Sequence, residues 1–258
     1  MMRLVSVVSL TLSAYNIAPV NPPAESQSTV DTSQHVEVVI GLSVEKRPII
    51  ARRYGAPDGK PVLAVGSIHG NEQSGIAIVR ALARSPVPDG YVLWVIEDVN
   101  PDGGTRRSRQ NSRGVDLNRN FPIMWKKNQC PSKYCSGKAP VSEPETVALI
   151  GFLESKQPSM TIFYHSVGDF VDVPSKGLEN RKVGRAYAAR ASIPLRTADC
   201  GSGGCTGTAT MFTNYAIAWG SAFVVELPCD NRCLTVATIK RHWSAFWYAA
   251  RFSGSRSS

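Results

Sequence analysis

Two patterns of apolar positions alternate along the chain and predict its secondary structure. Short continuous apolar runs, typical of buried strands, occupy residues 61–66, 91–96, 161–164 and 222–227. Apolar residues at helical spacing occupy residues 73–83, 142–153, 181–191 and 235–252. Ser142 and Glu145 match a capping box at the start of the second helix, and residues 100–103 have the composition of a turn. This alternation predicts an α/β fold with helices on both faces of the sheet.

The composition supports a packed, water-exposed domain. Of the 258 residues, 43% are hydrophobic and 19% are charged, which excludes wholesale disorder. Within the chain no run of eighteen apolar residues occurs, which excludes a protein with several membrane spans. The formal net charge of +9 suits a polyanionic neighbourhood such as a bacterial wall or a nucleic acid, although solubility alone also accounts for it.

The N-terminus has the pattern of a secretory signal. Arg3 precedes a short apolar stretch, 4–14, that ends in small residues, and residues 21–34 are rich in Pro, Ser and Thr. The alternative is an ordinary first strand with a frayed end. We therefore predict a signal peptide and linker over 1–35, a catalytic domain over 36–252 and a polar tail over 253–258. The predicted location is secreted or periplasmic, without a stable membrane span.

Six cysteines fall into three close pairs, which are Cys130 with Cys135, Cys200 with Cys205, and Cys229 with Cys233. Local pairing into three disulfides is the simplest of the fifteen arrangements that six cysteines allow. A zinc–cysteine cluster is the rival, but none of the pairs has the two-residue spacing usual for structural zinc. An even count beside a signal-like start favours an oxidising compartment.

Three residues are candidate ligands of one catalytic zinc ion. His69 and Glu72 follow a predicted strand at a spacing of three residues, and His165 follows another. Sites in open α/β sheets form outside the carboxyl ends of the strands, where these side chains can converge. Two His and one Glu with an open fourth position form a catalytic zinc set. A turn His beside a helix-start Glu, without any metal, is the plain alternative.

Further chemistry lies in a buried-looking strand and in a polar loop. Glu226 interrupts the apolar run 222–227, and a lone buried carboxylate should face a metal, a cation or a cavity. There it could take a proton from a zinc-bound water and deliver it to a leaving amine, or simply pair with an Arg. The loop 109–122 contains Arg109, Asn118 and Arg119, which could hold a carboxylate or an oxyanion. A nucleic-acid loop would show interleaved aromatic residues, which are absent here.

Several motifs together resemble the zinc carboxypeptidase family in order and spacing. They are His69-x-x-Glu72, Asn100-Pro101-Asp102-Gly103, the stretch Gly114-Val115-Asp116-Leu117-Asn118-Arg119-Asn120-Phe121, Ser142-Glu143-Pro144-Glu145-Thr146, His165-Ser166 and Glu226-Leu227. The resemblance implies a three-layer α/β/α fold with a mixed, mostly parallel twisted sheet and one Zn2+ per chain. It also implies that His69, Glu72 and His165 bind the zinc and that Asp116 orients His69. Glu226 would be the general base, Arg109 would stabilise the oxyanion, and Asn118 with Arg119 would hold the terminal carboxylate.

The chain departs from the digestive enzymes of that family and looks more like its compact bacterial murein peptide amidases. It is shorter, Asn71 stands where those enzymes have a substrate-binding Arg, and residues 201–207 show no match to their capping Tyr. The resemblance implies hydrolysis of short peptides with a free C-terminal carboxylate, with the D-glutamyl–diaminopimelate bond of wall peptides as the expected target. Met211, near the expected side-chain pocket, offers no carboxylate for the distal amine of diaminopimelate. An N-acyl amino acid desuccinylase or deacylase, or a catalytically dead wall-binding domain, is the alternative on the same fold.

Overall fold

The computed structural model describes residues 35–174, 178–197, 205–218, 220–230 and 233–254. All of them belong to one compact unit that spans residues 31–258. The predicted signal peptide and linker, apart from residue 35, and most of the predicted tail lie outside the described residues. Among the described residues, no helix has both the length and the apolar character needed to cross a bilayer.

Eight described strands form one sheet, with helices between them. The strands are β1 (Val36–Leu42), β2 (Pro48–Gly55), β3 (Lys60–Val65), β4 (Tyr91–Ile96), β5 (Met160–Ser166), β6 (Phe170–Val173), β7 (Leu195–Thr197) and β8 (Ser221–Leu227). The α-helices are α1 (Ser74–Ala83), α2 (Pro101–Arg106), α3 (Pro144–Lys156), α4 (Leu178–Ala191), α5 (Ala209–Ala216) and α6 (Val236–Ala250). A short 3-10 helix spans Leu117–Arg119.

The sheet is mixed, and its centre is parallel. The strand order is β1-β2-β4-β3-β5-β8-β6-β7. Strand β3 pairs in parallel with β4 and β5, and β5 pairs in parallel with β8. The outer pairs β1–β2, β2–β4 and β6–β8 are antiparallel, whereas β6 and β7 are parallel. The carboxyl ends of β3, β5 and β8 therefore meet at one edge, which is where a site is expected in such a sheet.

Apolar side chains cover both faces of the sheet, which confirms the predicted α/β layering. One face packs against α1, α4 and α6, with Leu82, Tyr187 and Phe246 in its core. The other face packs against α3 and α5, with Phe152 and Phe212 in its core. The central strands are buried on both faces, and for this reason they read as continuous apolar runs.

The turn predicted at residues 100–103 is instead the start of helix α2. Asn100 is the N-cap, and its side-chain oxygen accepts a hydrogen bond from the Gly103 nitrogen at 3.0 Å. Pro101 occupies the first helical turn, where its missing N–H costs nothing. The same residue types that favour turns thus begin a helix here, because their cap and Pro lie in the order that a helix needs.

The predicted capping box at Ser142 is also wrong. Helix α3 begins at Pro144 after Glu143, and the Ser142 hydroxyl donates to the Glu143 carboxylate at 2.7 Å. Glu145 is fully buried and accepts a hydrogen bond from the Val44 nitrogen at 3.0 Å. The Ser-x-x-Glu spacing therefore reflects tertiary contacts of Glu145 rather than a local cap.

Two of the three predicted disulfides are confirmed. Cys130 is bonded to Cys135 and Cys229 to Cys233, with Cα atoms 5.0 and 6.4 Å apart. The third predicted pair includes Cys200, which lies outside the described residues, so it stays a prediction.

A chain of buried polar groups crosses the face of the sheet that packs against α4 and α6. The Tyr164 and Tyr187 hydroxyls lie 3.3 Å apart, and the Tyr187 hydroxyl lies 2.8 Å from His242 Nδ1. His242 is completely buried. Burial, aided by the charge of Arg241, lowers the pKa of His242 to about 4.

This lowered pKa predicts a loss of stability in mild acid. The unfolded chain protonates His242 near its ordinary pKa of 6.5, whereas the folded chain keeps it neutral down to about 4. The unfolded state therefore binds more protons between pH 6.5 and about 4. As the pH is lowered through that window, the free energy of unfolding decreases, by at most about 1.4 kcal/mol per pH unit. Urea unfolding at pH 7 and pH 5 should show a smaller pH dependence for His242→Gln than for wild type. His35→Gln, at an exposed histidine, is the control, and an equal pH dependence in all three proteins would contradict the assignment.

Candidate active site

The three candidate metal ligands converge at the carboxyl edge of the central strands. His69 and Glu72 lie in the turn from β3 to α1, and His165 lies near the end of β5. The turn is held by hydrogen bonds from the Val99 nitrogen to the Ser67 oxygen and from the Glu72 nitrogen to the His69 oxygen, both 2.9 Å. A Cβ atom at Gly70 would overlap the backbone of Gly103, so this close approach requires glycine.

The ligand atoms of these residues form a compact triangle. His69 Nδ1 lies 3.0 Å from Glu72 Oε2, His165 Nδ1 lies 2.9 Å from the same oxygen, and the two nitrogens are 3.1 Å apart. Tetrahedral zinc with bonds of about 2.0–2.1 Å places neighbouring ligands about 3.3 Å apart. All three residues are buried, and within the described residues they form the one group of three or more His, Cys, Asp or Glu able to hold a metal ion. The donor set and its spacing therefore fit zinc.

Asp116 joins this triangle to the loop 109–122. Its Oδ1 lies 2.9 Å from His69 Nε2 and accepts a hydrogen bond of 2.9 Å from the Asn118 nitrogen. Its Oδ2 accepts two hydrogen bonds of 3.0 Å from the Arg109 guanidinium. Burial opposes the charged form, but His69, Arg109 and Arg119 hold the pKa of Asp116 well below its usual range. A carboxylate on the far nitrogen of a ligand histidine fixes its tautomer and ring orientation.

Arg109 lies directly beside the ligand set. Besides its two bonds to Asp116, it donates from Nη1 to Glu72 Oε1 at 2.8 Å. A guanidinium has five N–H donors, so these three bonds leave two for another acceptor. This placement next to Glu72 is compatible with stabilising an oxyanion that forms at the metal.

Glu226 lies on β8 next to the candidate ligand His165 on β5. The Cα atoms of the two residues are paired in the parallel register of these strands. Burial raises the pKa of the Glu226 carboxyl, although the nearby His165 works in the opposite direction. A carboxylate is most effective as a general base when its pKa lies near the working pH, and the raised pKa shifts Glu226 in that direction.

Asn118 and Arg119 stand at the other side of the site, against the first turn of α5. The Asn118 side-chain oxygen accepts a hydrogen bond from the Ala209 nitrogen at 3.0 Å, so the part of the amide left for another partner is its NH2 group. Arg119 donates to the Asn118 carbonyl oxygen at 2.7 Å, and burial lowers the pKa of its guanidinium. An amide and a planar guanidinium together suit a carboxylate.

A buried network, which no sequence pattern predicted, fixes this loop to the body of the protein. Asn111 donates from its side chain to Glu143 at 2.8 Å and to Glu145 at 3.1 Å. Its side-chain oxygen accepts from the nitrogens of Arg113 and Val115. Since Glu143 and Glu145 are both buried, the loop is positioned by groups that solvent does not reach.

Tyr134 is a second site residue that the sequence analysis missed. It belongs to the loop closed by the Cys130–Cys135 disulfide, and its ring centroid lies 5.5 Å from Arg109 Cζ and 5.4 Å from Arg119 Cζ. The Asp116 nitrogen donates to the Cys135 oxygen at 2.8 Å, which holds this loop beside the site. Only the pair of cysteines five residues apart could have drawn attention to the segment.

His35 and His242, to which the sequence analysis gave no role, lie outside the cluster. His35 is exposed and stacks on Tyr54, whereas His242 belongs to α6 and is buried against Tyr187 of α4. Met211 lies in α5, the helix whose start Asn118 contacts.

Comparison with known proteins gives concordant matches. The family model described as "Zinc carboxypeptidase" matches residues 27–249. Murein peptide amidase A of Escherichia coli K12 is 30% identical over 169 residues, which cover 61% of this chain and 68% of that protein.

Two solved structures share the fold. The carboxypeptidase A of Helicoverpa armigera aligns with a TM-score of 0.72 at 19% identity, covering 84% of this chain and 68% of that one. The murein-tripeptide amidase of Escherichia coli O157 aligns with a TM-score of 0.63 at 24% identity, covering 83% and 90%. The predicted fold class, a mixed sheet flanked by helices, is thereby confirmed.

Proposed function

The chain belongs to the zinc carboxypeptidase family and is a metallopeptidase, and from this membership we propose that it removes the C-terminal residue from short peptides of the bacterial wall. The observation that carries the proposal is the convergence of a zinc-compatible triangle, Glu226 and the Asn118–Arg119 pair around one edge of the sheet. The similarity to murein peptide amidase A favours the D-glutamyl–diaminopimelate bond as the target.

The metal ligands, Glu226 and Arg109 have separate roles in the proposed hydrolysis. His69, Glu72 and His165 would hold zinc, which supplies a Lewis acid and lowers the pKa of water. Glu226 takes a proton from the attacking water and delivers it to the leaving nitrogen, while the two remaining N–H groups of Arg109 donate to the developing oxyanion.

Asn118 and Arg119 bind the terminal carboxylate, which places the last peptide bond at Glu226. A site with buried donors rejects a substrate that leaves them unpaired, so a free C-terminus is selected over a blocked one. The +9 charge suits anionic wall peptides.

An exported location belongs to the same proposal. The disulfides Cys130–Cys135 and Cys229–Cys233 support a secreted or periplasmic enzyme, because such bonds persist in oxidising compartments.

A substrate panel tests the proposal. We expect the tripeptide L-Ala-γ-D-Glu-meso-diaminopimelate to be cleaved faster, by kcat/KM, than an ordinary peptide ending in Leu and than N-succinyl-glutamate. Faster cleavage of the Leu peptide would show that the enzyme is a general carboxypeptidase. A preference for N-succinyl-glutamate would show that it is a deacylase. No cleavage of any of them by zinc-loaded protein would favour a wall-binding domain.

The carboxylate clamp gives a separate prediction. Arg119→Gln should raise KM for the free tripeptide and lower kcat/KM by about 10–100-fold, because a charge-assisted hydrogen bond is lost. The same tripeptide with an amidated terminus should be a poor substrate for both proteins. Arg185→Gln, at an exposed position of α4, is the matched control. If wild type cleaves the free and the amidated peptides equally well, Asn118 and Arg119 do not bind the terminal carboxylate.

A further inference from the structure

Strands β6 and β7 extend the active-site face of the sheet beyond β8. Val171 and Val173 pack into the core on the α4 and α6 side. Because side chains alternate along a strand, Phe170 and Asp172 lie on the opposite face, which is the face of His165 and Glu226.

The register places Asp172 next to the catalytic edge. Phe170 is paired with Glu226, and Asp172 is paired with Val224, one step further from the metal ligands. Two residues along a strand correspond to about 6.7 Å, and adjacent strands are about 4.8 Å apart. The carboxylate of Asp172 is close enough for its charge to contribute to the raised pKa of Glu226, although burial is the larger cause.

A cation on the neighbouring strand faces the same side of the sheet. Arg196 on β7 is the register partner of Asp172 on β6. The Arg196 guanidinium stands 4.1 Å from the centre of the Phe170 ring, and Phe170 is paired with Glu226, so the cation lies on the active-site side. Arg196 is exposed, so its donors are accessible to a ligand.

We propose that Asp172 and Arg196 form a receptor for a zwitterionic amino-acid group, an ammonium beside a carboxylate, at the far end of the side chain of the departing residue. This inference rests on the proposed function, because it needs a C-terminal residue bound by Asn118 and Arg119. Diaminopimelate has this chemistry: its side chain ends in a second amino-acid group. The Asp172 carboxylate binds the ammonium, and the Arg196 guanidinium binds the carboxylate through paired N–H donors.

The length of the departing side chain is of the same order as the spacing of these strand positions. Three methylene groups separate the two amino-acid ends of diaminopimelate, a span of about 5 Å for carbon–carbon bonds near 1.5 Å. The Cα atoms of the Glu226–Phe170 pair and of the Asp172–Arg196 pair are about 6.7 Å apart along the strands, and the Arg196 side chain reaches back over the Phe170 ring. The pair on β6 and β7 thus supplies the carboxylate that Met211 does not.

Four C-terminal residues test each charge separately. Diaminopimelate carries both distal groups, lysine only the ammonium, 2-aminopimelate only the carboxylate, and norleucine neither. Each is placed after L-Ala-γ-D-Glu and, in a second series, after an ordinary N-blocked glycine. Within one variant, kcat/KM is expressed relative to the norleucine peptide, so that any change in the basicity of Glu226 cancels.

Asp172→Asn should lower the relative kcat/KM of the diaminopimelate and lysine peptides by about 10–100-fold, with no matching loss for 2-aminopimelate. Arg196→Gln should lower the relative kcat/KM of the diaminopimelate and 2-aminopimelate peptides by a similar factor, with no matching loss for the lysine peptide. Arg185→Gln, an exposed cation on α4, should change none of the ratios. Circular dichroism and zinc content confirm that the variants are folded and loaded.

The two peptide series separate this inference from the proposed function. The expected charge pattern in the glycine series, with the γ-D-glutamyl series uncleaved, would support the receptor and overturn the wall-peptide target. Cleavage of the γ-D-glutamyl series with ratios that neither variant changes would overturn the receptor alone. A uniform loss across all four residues would show that Asp172 or Arg196 acts only through the fold, and no cleavage in either series would overturn both.

Discussion

Glu226→Gln is expected to lower kcat by about 10²–10⁴-fold while leaving the fold and the zinc content intact. A carboxamide cannot accept the proton of the attacking water, and Glu226 is not among the three residues whose ligand atoms form the metal triangle. The variant keeps the size and shape of the side chain on β8, so packing should be preserved. Steady-state kinetics, metal analysis and thermal unfolding would be measured on the same preparation.

Two further variants sharpen this test. Glu226→Asp retains a carboxylate at a shorter reach and should recover part of the turnover. Glu154→Gln, at an exposed position of α3, should keep wild-type kinetics. If Glu226→Gln has a kcat near that of wild type, another group is the base.

Loss of one imidazole should abolish stoichiometric zinc binding. Purified wild-type protein is expected to contain close to one zinc per chain, and His69→Ala and His165→Ala should contain little, because each removes one of the three proposed ligands. Elemental analysis after dialysis measures this directly. Activity should disappear in parallel.

The contact of Asp116 with His69 provides a graded comparison. Asp116→Asn removes the charge behind the ligand and should weaken zinc affinity by about 10–100-fold rather than abolish it. His35→Ala, remote from the cluster, should keep full zinc. Full zinc retention in both His69→Ala and His165→Ala would eliminate the site.

The central part of the fold was predictable because its strands are buried on both faces. The run 91–96 coincides with β4, and the other three predicted strands differ from β3, β5 and β8 by one or two residues at their ends. These strands carry or precede His69, His165 and Glu226, and parallel strands bring their carboxyl ends together. The metal cluster therefore followed from local apolar runs and one rule of sheet topology.

The outer elements were not predictable by the same means. Strand β1 is largely exposed although most of its residues are apolar, and Glu37 and Gly41 interrupt its apolar run. Strands β6 and β7 contain only four and three residues, too few for a clear pattern. The positions of their side chains depend on the strand register. Asp172 and Arg196 are 24 positions apart in the chain, and only the pairing of β6 with β7 makes them neighbours. Tyr134 likewise reaches the two arginines through a disulfide-closed loop, whose path the spacing of cysteines does not specify.

The shared carboxylate of Asp116 has a consequence for the entropy of substrate recognition. One side chain contacts both the ligand His69 and the backbone of Asn118, and Asn111 ties the same loop to two buried carboxylates. The residues that we propose to bind the peptide terminus therefore lose their conformational freedom when the protein folds, before any substrate arrives. Binding then has to immobilise mainly the peptide, and more of the contact energy remains for aligning the scissile bond.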